Sequence, residues 1–447
     1  MTNAPDMMTD IDRLLALGHS HVEVLASDMA GNHFGKRYPA EHLRDFARNG
    51  VSMPRSMFVL TQVGGSIDEY TGMGLDDGDP DIAMGLVPGE ISVVHYGRKP
   101  RLQALITSTA DTDMPDPRRI LKRVLSQYQA KGLTPITALE LEFTLFDQAT
   151  TKAGTLGPAR DPMTGRSELH GMLNVDRLDG YEAFVEEVLA NCDAQGIDTT
   201  AICSEFGNSQ FEINFTHYED PLKAADKAQL YKRTVKAVAR KHGFLASFMA
   251  KPDLQLPSNG QHIHVSVVDE AGANIFSNGD THTDTLMHAI AGLQAGAKDA
   301  MLCWAPNINS YRRFEPGFCV PTGPTWAYDH RHIAFRIPPG TGQAWRIENR
   351  LAGADANCYL SLAATLAAML VGIDRKLTPS AETKGAPPLD YESLPLTIRD
   401  AIAAMRDGSV IKSILGADFI ELYASYREGE LDAFEGVITP RELDWYL

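Results

Sequence analysis

Strict alternation of apolar and polar residues predicts that this chain contains strands with one charged face. In the segment 139–145 every odd-numbered residue is apolar, while Glu140 and Glu142 share the other face. Side chains two apart on a strand are separated by roughly 6.5 Å, because the rise per residue is ~3.3 Å. Two such carboxylates are too far apart to chelate one ion comfortably, but they suit two neighbouring ions.

Three further segments, 211–215, 262–266 and 346–350, follow the same rule. Each of them alone would be an ordinary half-exposed strand with its polar face in water. Four such strands, together with Glu205, favour a shared pocket instead. The residues that would meet there are Glu140, Glu142, Glu205, Glu212, His262, His264, Ser266, Arg346, Glu348 and Arg350.

The five carboxylates of this predicted pocket cannot all stay ionised without counter-charge. Two divalent cations would reduce their formal charge to about −1, by simple addition to five ionised carboxylates. Oxygen-rich ligands with one neutral histidine suit Mg²⁺ or Mn²⁺ better than zinc, for which cysteine and histidine predominate. The sequence therefore predicts a two-metal site.

Longer apolar periodicity predicts helices between the strands. They are expected at 10–18, 40–48, 118–131, 181–195, 221–242, 284–297, 357–373 and 397–428. Glycine and aspartate dominate residues 64–90, which predicts a long functional or interface loop. The turn-forming run Met114–Pro117 marks a boundary, so residues 1–112 form a small α+β domain ahead of a larger one at 113–447.

The segment 309–350 is rich in proline and glycine and holds six arginines but no lysine. Guanidinium is a rigid fork of donors suited to carboxylate and phosphate oxygens, so the segment predicts fixed loops that hold an anionic substrate. Metal-assisted chemistry on an anion beside arginines suggests phosphoryl transfer. The sequence contains no Walker-type loop and no Rossmann fingerprint, so metal and arginine would hold the nucleotide.

Composition narrows the class of protein. A net charge of −17 over 447 residues argues against non-specific nucleic-acid binding. No run of eighteen apolar residues lacks charges, so no membrane span is predicted. The N-terminus has acids where a secretory signal needs bases, and five scattered cysteines without a CxxC motif fit a reduced cytoplasm.

The ordered motifs of the chain resemble those of the glutamine synthetase family over nearly its whole length. They are Leu139-Glu-Leu-Glu-Phe143, Glu205 with Gln210-Phe-Glu212, Phe248-Met-Ala-Lys-Pro252, Gly260-Gln-His-Ile-His264, Asn309-Ser-Tyr-Arg-Arg313, Arg331, Arg336-Ile-Pro338, Arg346-Ile-Glu348 and Ala354-Asp-Ala-Asn357.

The resemblance implies an α+β fold with an N-terminal β-grasp domain at 1–112. The catalytic domain at 113–447 would carry a curved antiparallel sheet surrounded by helices. The neighbouring subunit's β-grasp domain would close each site within a homo-oligomer, usually a dodecamer of two stacked hexameric rings. Expected ligands are ATP, glutamate, an amine, and two or three Mg²⁺ or Mn²⁺ ions.

The resemblance also carries site roles over residue by residue. Ligands of one metal would be Glu142, Glu205 and Glu212. Ligands of the second, nearer the ATP phosphates, would be Glu140, His262 and Glu348. Nucleotide contacts would come from His264, Ser266, Arg336 and Arg346. The glutamate carboxylates would be held by Arg313 and Arg350, and the phosphate in transfer would be steadied by Arg331.

Two departures from the family pattern concern the amine. Cys319 stands where the family's catalytic flap carries a glutamate that takes a proton from ammonium. Val63 aligns with an aspartate that helps bind ammonium. Loss of both carboxylates beside intact metal ligands resembles the γ-glutamylamine branch of the family, which includes γ-glutamylpolyamine and γ-glutamylmonoamine synthetases.

The leading hypothesis is therefore an ATP-dependent ligase that activates the γ-carboxylate of glutamate as γ-glutamyl phosphate. It would join that group to a polyamine or a small alkylamine, in polyamine or amine catabolism. The alternatives are an ordinary glutamine synthetase that uses ammonium, and a catalytically silent member of the family. The six retained metal ligands argue against the silent member.

Overall fold

A computed structural model describes residues 4–110, 115–152, 156–167, 171–315, 319–387 and 394–447. The N-terminal part forms a five-stranded sheet in the order β2-β1-β5-β4-β3. Its strands are β1 (His21–Ser27), β2 (His33–Pro39), β3 (Val51–Pro54), β4 (Asp81–Val94) and β5 (Arg101–Ser108). Strands β1 and β5 run parallel and the other pairs are antiparallel, which gives a grasp-like sheet.

Three helices accompany this sheet. They are α1 (Ala4–Leu15), α2 (Leu43–Asn49) and α3 (Asp68–Thr71), with short 3₁₀ helices at Ala40–His42 and Arg55–Phe58. The first helix begins earlier than the pattern predicted. It ends before Gly18, which has a φ of 76° that few other residues tolerate.

The second sheet has eight strands and carries the charged faces predicted above. Along the sheet the order is β13-β14-β15-β10-β6-β8-β7, and β9 also pairs with β6. The strands are β6 (Thr134–Asp147), β7 (Thr199–Ser204), β8 (Gln210–Phe215), β9 (Phe244–Ser247), β10 (Gln261–Val268), β13 (Trp326–Tyr328), β14 (Phe335–Ile337) and β15 (Ile347–Asn349). A separate hairpin pairs β11 (Ser277–Asn278) with β12 (Thr281–His282). The predicted antiparallel arrangement holds except at one edge, where β13 and β14 are parallel.

Helices surround this second sheet. They are α4 (Pro117–Gln129), α5 (Gln148–Lys152), α6 (Val175–Gly180), α7 (Glu182–Ala194), α8 (Pro221–Lys241), α9 (Asp284–Trp304), α10 (Cys358–Arg375), α11 (Ile398–Asp407), α12 (Lys412–Leu415), α13 (Ala417–Glu435) and α14 (Pro440–Tyr446). Helices α9 and α10 cross closely because both have glycine there. A Cβ on Gly292 would lie 2.2 Å from the carbonyl oxygen of Ala368, which no larger residue could accommodate.

Helix α10 is long and apolar enough by composition to cross a membrane, although it ends in the charged residues Asp374 and Arg375. However, 83% of it is buried inside the protein. Its apolar side chains pack against α9, α4 and α8, so it forms part of the core.

The two sheets are linked through α8 and α13. The Nζ of Lys227 on α8 lies 2.8 Å from Glu90 on β4, and both side chains are buried. Arg427 on α13 is fully buried and donates a hydrogen bond to the carbonyl of Met29. A buried ion pair is costly when it is broken, so these contacts fix the N-terminal sheet against the second one.

One predicted element was wrong in extent. The loop predicted at 64–90 ends early, because the long strand β4 begins at Asp81 and the short helix α3 interrupts the remainder. The segment 397–428, predicted as helical, contains α11, α12 and most of α13. Gly416 has a φ of 89°, and Gly408 packs against the carboxylate of Asp299, so neither position continues a helix. The predicted domain boundary at 112/113 lies outside the described residues.

Candidate active site

The register of the second sheet brings the predicted metal ligands together. In the β6–β10 pair Glu140 stands opposite His262, and in the β6–β8 pair Glu142 stands opposite Glu212. Across β10 and β15, His264 stands opposite Glu348. Directly opposed residues have Cβ atoms about 5 Å apart, so these pairings alone concentrate the polar faces in one place.

His262 lies at the centre of the cluster. Its Nδ1 is 3.3 Å from a carboxylate oxygen of Glu140 and 3.9 Å from those of Glu212 and Glu348. Its Nε2 is 3.9 Å from Glu142. The four acids predicted on strand faces therefore converge on one imidazole.

Three groups of side chains have ligand atoms within 4.8 Å of one another, the spacing that a shared metal ion needs. These groups are Glu140, Glu212 and His262; Glu140, His264 and Glu348; and Cys203, Glu205 and Glu212. These groups differ from the two predicted ligand sets, because they include His264 and Cys203. The signal for Cys203 was its place two residues before Glu205, which puts both side chains on one face at the end of β7.

Burial and mutual repulsion set the protonation of the first carboxylates. Burial, followed by the charge of Glu142, raises the pKa of Glu205 to about 7. Burial, followed by the charges of Glu140, Glu142 and Glu205, raises the pKa of Glu212 well above its usual range. These acids are held in a site that opposes their ionisation unless a cation is bound.

Other acids of the cluster lie beside cationic groups. Burial would raise the pKa of Glu348, but Arg350 and the two imidazoles outweigh it and lower the value to about 2. Burial likewise opposes ionisation of Glu140, yet its neighbours His264 and His262 hold its pKa below the usual range. The cluster thus has one edge that retains protons and another that is already ionised.

The residues present fit divalent metal ions. His264 shares a ligand group with Glu140 and Glu348, and its buried Nε2 lies 3.1 Å from a carboxylate oxygen of Glu140. An imidazole beside carboxylates is a common metal ligand in its neutral form. The oxygen-rich donor set favours Mg²⁺ or Mn²⁺. Both histidines of β10 are therefore available, whereas the sequence assigned only His262 to metal.

Three arginines surround the ionised edge. Arg336 donates to Glu348 at 2.7 Å and to Asp329 at 2.7 Å, and Arg350 donates to the other oxygen of Glu348. Arg346 lies 3.3 Å from the Nδ1 of His264. The Nε atoms of Arg336 and Arg350 are buried without a partner among the described residues, which leaves donors for an anionic ligand.

Arg313 is also buried at this site, and it donates to the backbone carbonyls of Leu351 and Arg350 at 2.9 and 3.1 Å. Its Nε has no partner among the described residues. Burial lowers the pKa of Arg313 to about 10, which still leaves it cationic at neutral pH. Ser266, predicted to contact nucleotide, is buried on β10 two residues beyond His264.

The predicted amine-side residues lie at different places. Cys319 is exposed, has a φ of 55°, and its Sγ is 3.6 Å from the Nε2 of His332. Although the residue is exposed, partial desolvation of the Cys319 thiol raises its pKa, so the thiol is neutral at pH 7. Arg331 is exposed, and its positive charge acts to lower the pKa of both the Cys319 thiol and the Glu205 carboxyl group. Val63 is 93% exposed and lines a separate cavity of its own chain.

Two acids of the loop before β4 have structural roles. Asp68 accepts hydrogen bonds from Ser66 and from the backbone of Leu75, and Asp77 pairs with Arg55. Each of these carboxylates organises its own loop.

Comparison with known proteins gives the class of the chain. Residues 114–446 match the family described as glutamine synthetase, catalytic domain. The chain belongs to the glutamine synthetase family, as the motifs predicted.

Named relatives narrow the class further. The chain is 35% identical over 434 residues to the gamma-glutamylputrescine synthetase of Escherichia coli K12, covering 96% of this chain and 91% of that protein. It is 30% identical over 445 residues to the gamma-glutamylethanolamide synthetase of Streptomyces coelicolor, covering 97% and 94%. A solved structure described as apo GmaS without ligand has a TM-score of 0.82 and 26% identity, covering 100% and 99%. The chain fits the γ-glutamylamine branch, whose members are ATP-dependent glutamate–amine ligases.

Proposed function

We propose that this protein joins the γ-carboxylate of glutamate to a polyamine or a small alkylamine at the expense of ATP. One observation carries the proposal. Carboxylate–imidazole groups of metal-site spacing adjoin buried arginines with unpartnered donors. The family resemblance aligns Cys319, a neutral thiol, with the ammonium-side glutamate.

Two metal ions, either Mg²⁺ or Mn²⁺, fit the clusters on β6, β8, β10 and β15. Glu205 and Glu212 would hold one ion with Glu142, and Glu140, Glu348 and the β10 histidines would hold the other. Such ions neutralise phosphate charge in phosphoryl transfer. We assign nucleotide contacts to Ser266, Arg336 and Arg346.

The arginines orient and stabilise the anions of the reaction. We assign the glutamate carboxylates to Arg313 and Arg350, and the phosphate in transfer to Arg331. The γ-carboxylate oxygen attacks the γ-phosphorus of ATP and releases ADP, which leaves γ-glutamyl phosphate. The amine nitrogen then attacks the acyl carbon, the phosphate departs, and the amine proton is lost. Preorganised cations are most effective where water is excluded.

Cys319 and Val63 favour an amine larger than ammonia. A site for ammonium needs carboxylates to bind it and to take its proton, and neither side chain offers one. Each buried methylene of an alkylamine contributes ~0.8 kcal/mol, so two or three would favour it over ammonia by more than tenfold. The relatives' names, which include putrescine and ethanolamide, support this class of substrate.

The setting of the enzyme is also proposed. Val63 is exposed in the loop between β3 and β4, and Cys319 is exposed ahead of β13, which suits a site completed by a neighbouring subunit in a ring, twelve subunits in the family pattern. Free cysteines at all five positions fit a cytoplasmic protein.

The test is kcat/KM for ammonium, putrescine, spermidine, methylamine, ethylamine and isopropylamine, followed as phosphate release. We expect an alkylamine or polyamine to exceed ammonium at least tenfold in the wild type, and Cys319→Glu to shift the preference toward ammonium. Cys319→Ser is the matched control, because it adds no carboxylate. Preference for ammonium in the wild type would refute the proposed substrate class.

A further inference from the structure

The cavity that Val63 lines has a volume of about 1030 Å³ and lies between the N-terminal sheet and helices α8 and α13. None of the metal-site residues lines it. Its volume is at the upper end of the range for small-molecule sites. One member of the arginine-rich segment, Arg312, faces this cavity, whereas its neighbour Arg313 faces the active site.

Helix α8 gives the cavity a cationic wall. Lys232, Lys236 and Arg240 follow one another at four-residue intervals, so they share one face of the helix. Arg233, His33 and Arg312 complete the basic lining. The acids that line the cavity are Glu430 and Asp355.

The partners of these charges show which remain unpaired. Arg233 pairs with Glu23 at 2.6 Å, and Lys232 donates to the carbonyl of Ala356 at 2.8 Å. In contrast, the side chains of Lys236, Arg240 and Arg312 form no hydrogen bond or ion pair with any residue in the described part of the chain.

The acids of the cavity do not neutralise these three cations. Glu430 is bound by Arg427 and by the backbone N–H of Gln62. Asp355 accepts hydrogen bonds through Oδ2 from the neutral Asn307 at 2.8 Å and Ser310 at 2.6 Å and keeps its charge. Two acids therefore face five lysine and arginine side chains in the lining. The cavity therefore keeps an excess of positive charge in a protein whose net charge is −17.

The positive charges around the cavity also disfavour the protonated forms of their neighbours. Burial, followed by the charges of Lys232 and Arg240, lowers the pKa of Lys236 to about 8. Burial, followed by the charges of Arg233, Lys236 and Lys232, lowers the pKa of His33 to about 3, and its Nε2 is buried without a partner among the described residues. A neutral imidazole with a free nitrogen can donate or accept one further hydrogen bond.

The rest of the lining is apolar. Phe248 lies under Lys232 and Lys236, with the two Nζ atoms 5.8 and 5.7 Å from its ring centroid. Ile308, Phe434 and Val437 extend the apolar surface. A ligand that satisfied both parts would combine an anionic group with a hydrocarbon or aromatic body.

We propose that this cavity is a binding site for a small organic anion, such as a phosphate ester, with its charge on Lys236, Arg240 and Arg312 and its apolar body against Phe248. Charge-assisted hydrogen bonds to lysine and arginine supply the affinity. A neighbouring copy of this chain seated on the cavity is the competing occupant, and it would exclude such a ligand.

Isothermal titration calorimetry with phenyl phosphate and inorganic phosphate, in metal-free buffer, tests the site. We expect phenyl phosphate to bind the full-length wild type more tightly than inorganic phosphate does. The double variant Lys236→Gln/Arg240→Gln should bind phenyl phosphate at least tenfold more weakly. Lys223→Gln, on the same helix but outside the cavity, is the matched control and should bind as the wild type does.

Arg312→Gln provides a second variant in case the double variant does not fold, and thermal unfolding reports folding for each. Equal affinity of the wild type and both cavity variants would place the anion elsewhere, at the active-site arginines for example, and overturn the proposal. No binding to the wild type at millimolar concentration would overturn it too. These readouts are independent of ligase activity, so they stand apart from the proposed reaction.

Discussion

Glu142 and Glu212 stand directly opposite each other in the β6–β8 pair, both facing the metal-site cluster. Like charges at opposed positions of an antiparallel pair destabilise a sheet. Glu142 accepts a hydrogen bond from the backbone N–H of Gly260 at 2.7 Å, while Glu212 accepts one from the side chain of Asn214 at 3.0 Å. The pair therefore stores repulsion that a bound cation relieves.

Removing that repulsion should stabilise the metal-free protein. We expect Glu212→Gln to raise the melting temperature without metal by about 1–3 °C, since the folded protein must hold a proton on Glu212 that the unfolded chain releases, and glutamine removes that cost. The same variant should lose most of the stabilisation that Mn²⁺ gives to the wild type. Glu186→Gln, an exposed change on α7, is the control. A metal-free Glu212→Gln protein that melts well below the wild type would contradict this account.

Metal affinity should depend on pH through Glu205. Its folded pKa is about 7, raised first by burial and then by Glu142. Protons and metal compete for the same carboxylate, so Mn²⁺ affinity should rise as pH increases from 6 to 8. Titration calorimetry at several pH values, with proton release followed through buffers of different ionisation enthalpy, measures this. In Glu205→Gln the slope attributable to this group should disappear; an unchanged pH dependence would show that another group controls binding.

Glu205 also determines whether the stability of the metal-free protein rises or falls with pH. Its folded pKa of about 7 exceeds the usual value of 4.5, so the folded state holds this proton more tightly than the unfolded state does. Stability from this group is therefore present below pH 4.5 and is lost as pH rises through 7. Excess Mn²⁺ should abolish that loss, because the carboxylate is then ionised by the metal. Urea unfolding at pH 5 and 8, with and without Mn²⁺, provides the measurement.

Strand alternation predicted the polar face of the site from the sequence, because side-chain direction on a strand has a period of two. The segments carrying Glu140, His262 and Glu348 are strands as expected. Alternation does not give strand register, so the sequence could not show that Cys203 stands opposite Glu212 or that His264 stands opposite Glu348. Those pairings, which depend on the whole sheet, bring two more side chains into the clusters.

The ends of loops and helices were less predictable, because contacts with other parts of the fold determine them. Gly and Asp residues before β4 suggested loop up to residue 90, but strand pairing with β3 and β5 extends order back to Asp81. Conversely, the C-terminal apolar periodicity continues across Gly408 and Gly416, although the backbone turns there. Tertiary packing outweighs intrinsic propensity in both cases.

Glu348 should be indispensable to the chemistry. It is 1% exposed, lies 3.9 Å from His262, and pairs with Arg336 and Arg350. Glu348→Gln would remove a metal-ligand charge and free both guanidinium groups, so we expect phosphate release to fall at least 10³-fold, a loss comparable to removing a key electrostatic group. Far-ultraviolet circular dichroism should be unchanged. Glu186→Gln, the exposed change on α7, is the control. Near-normal turnover of Glu348→Gln would exclude Glu348 as a ligand.

The buried pair between Lys227 and Glu90 should hold the two sheets together. Lys227→Met leaves Glu90 buried without its partner, which should cost about 3–5 kcal/mol of unfolding free energy. The second change Glu90→Gln removes the stranded charge, so the double variant should recover most of that loss. Denaturant unfolding of the four proteins in a double-mutant cycle gives the coupling. Additive effects of the two single changes would mean that the pair is not coupled.

The N-terminal sheet should contribute to assembly and to a neighbour's site. Leu75 is 89% exposed and Val63 is 93% exposed, both near the loop that precedes β4. Exposed apolar residues so placed are expected at a subunit interface. We expect the wild type to sediment as a large oligomer, and Leu75→Asp to shift the distribution to smaller species with a parallel loss of activity. Leu17→Asp, an equally conspicuous change at 57% exposure outside that loop, is the control. Because a shared site needs two subunits, activity of Leu75→Asp should recover as protein concentration rises, whereas a fully active monomer would contradict the shared site.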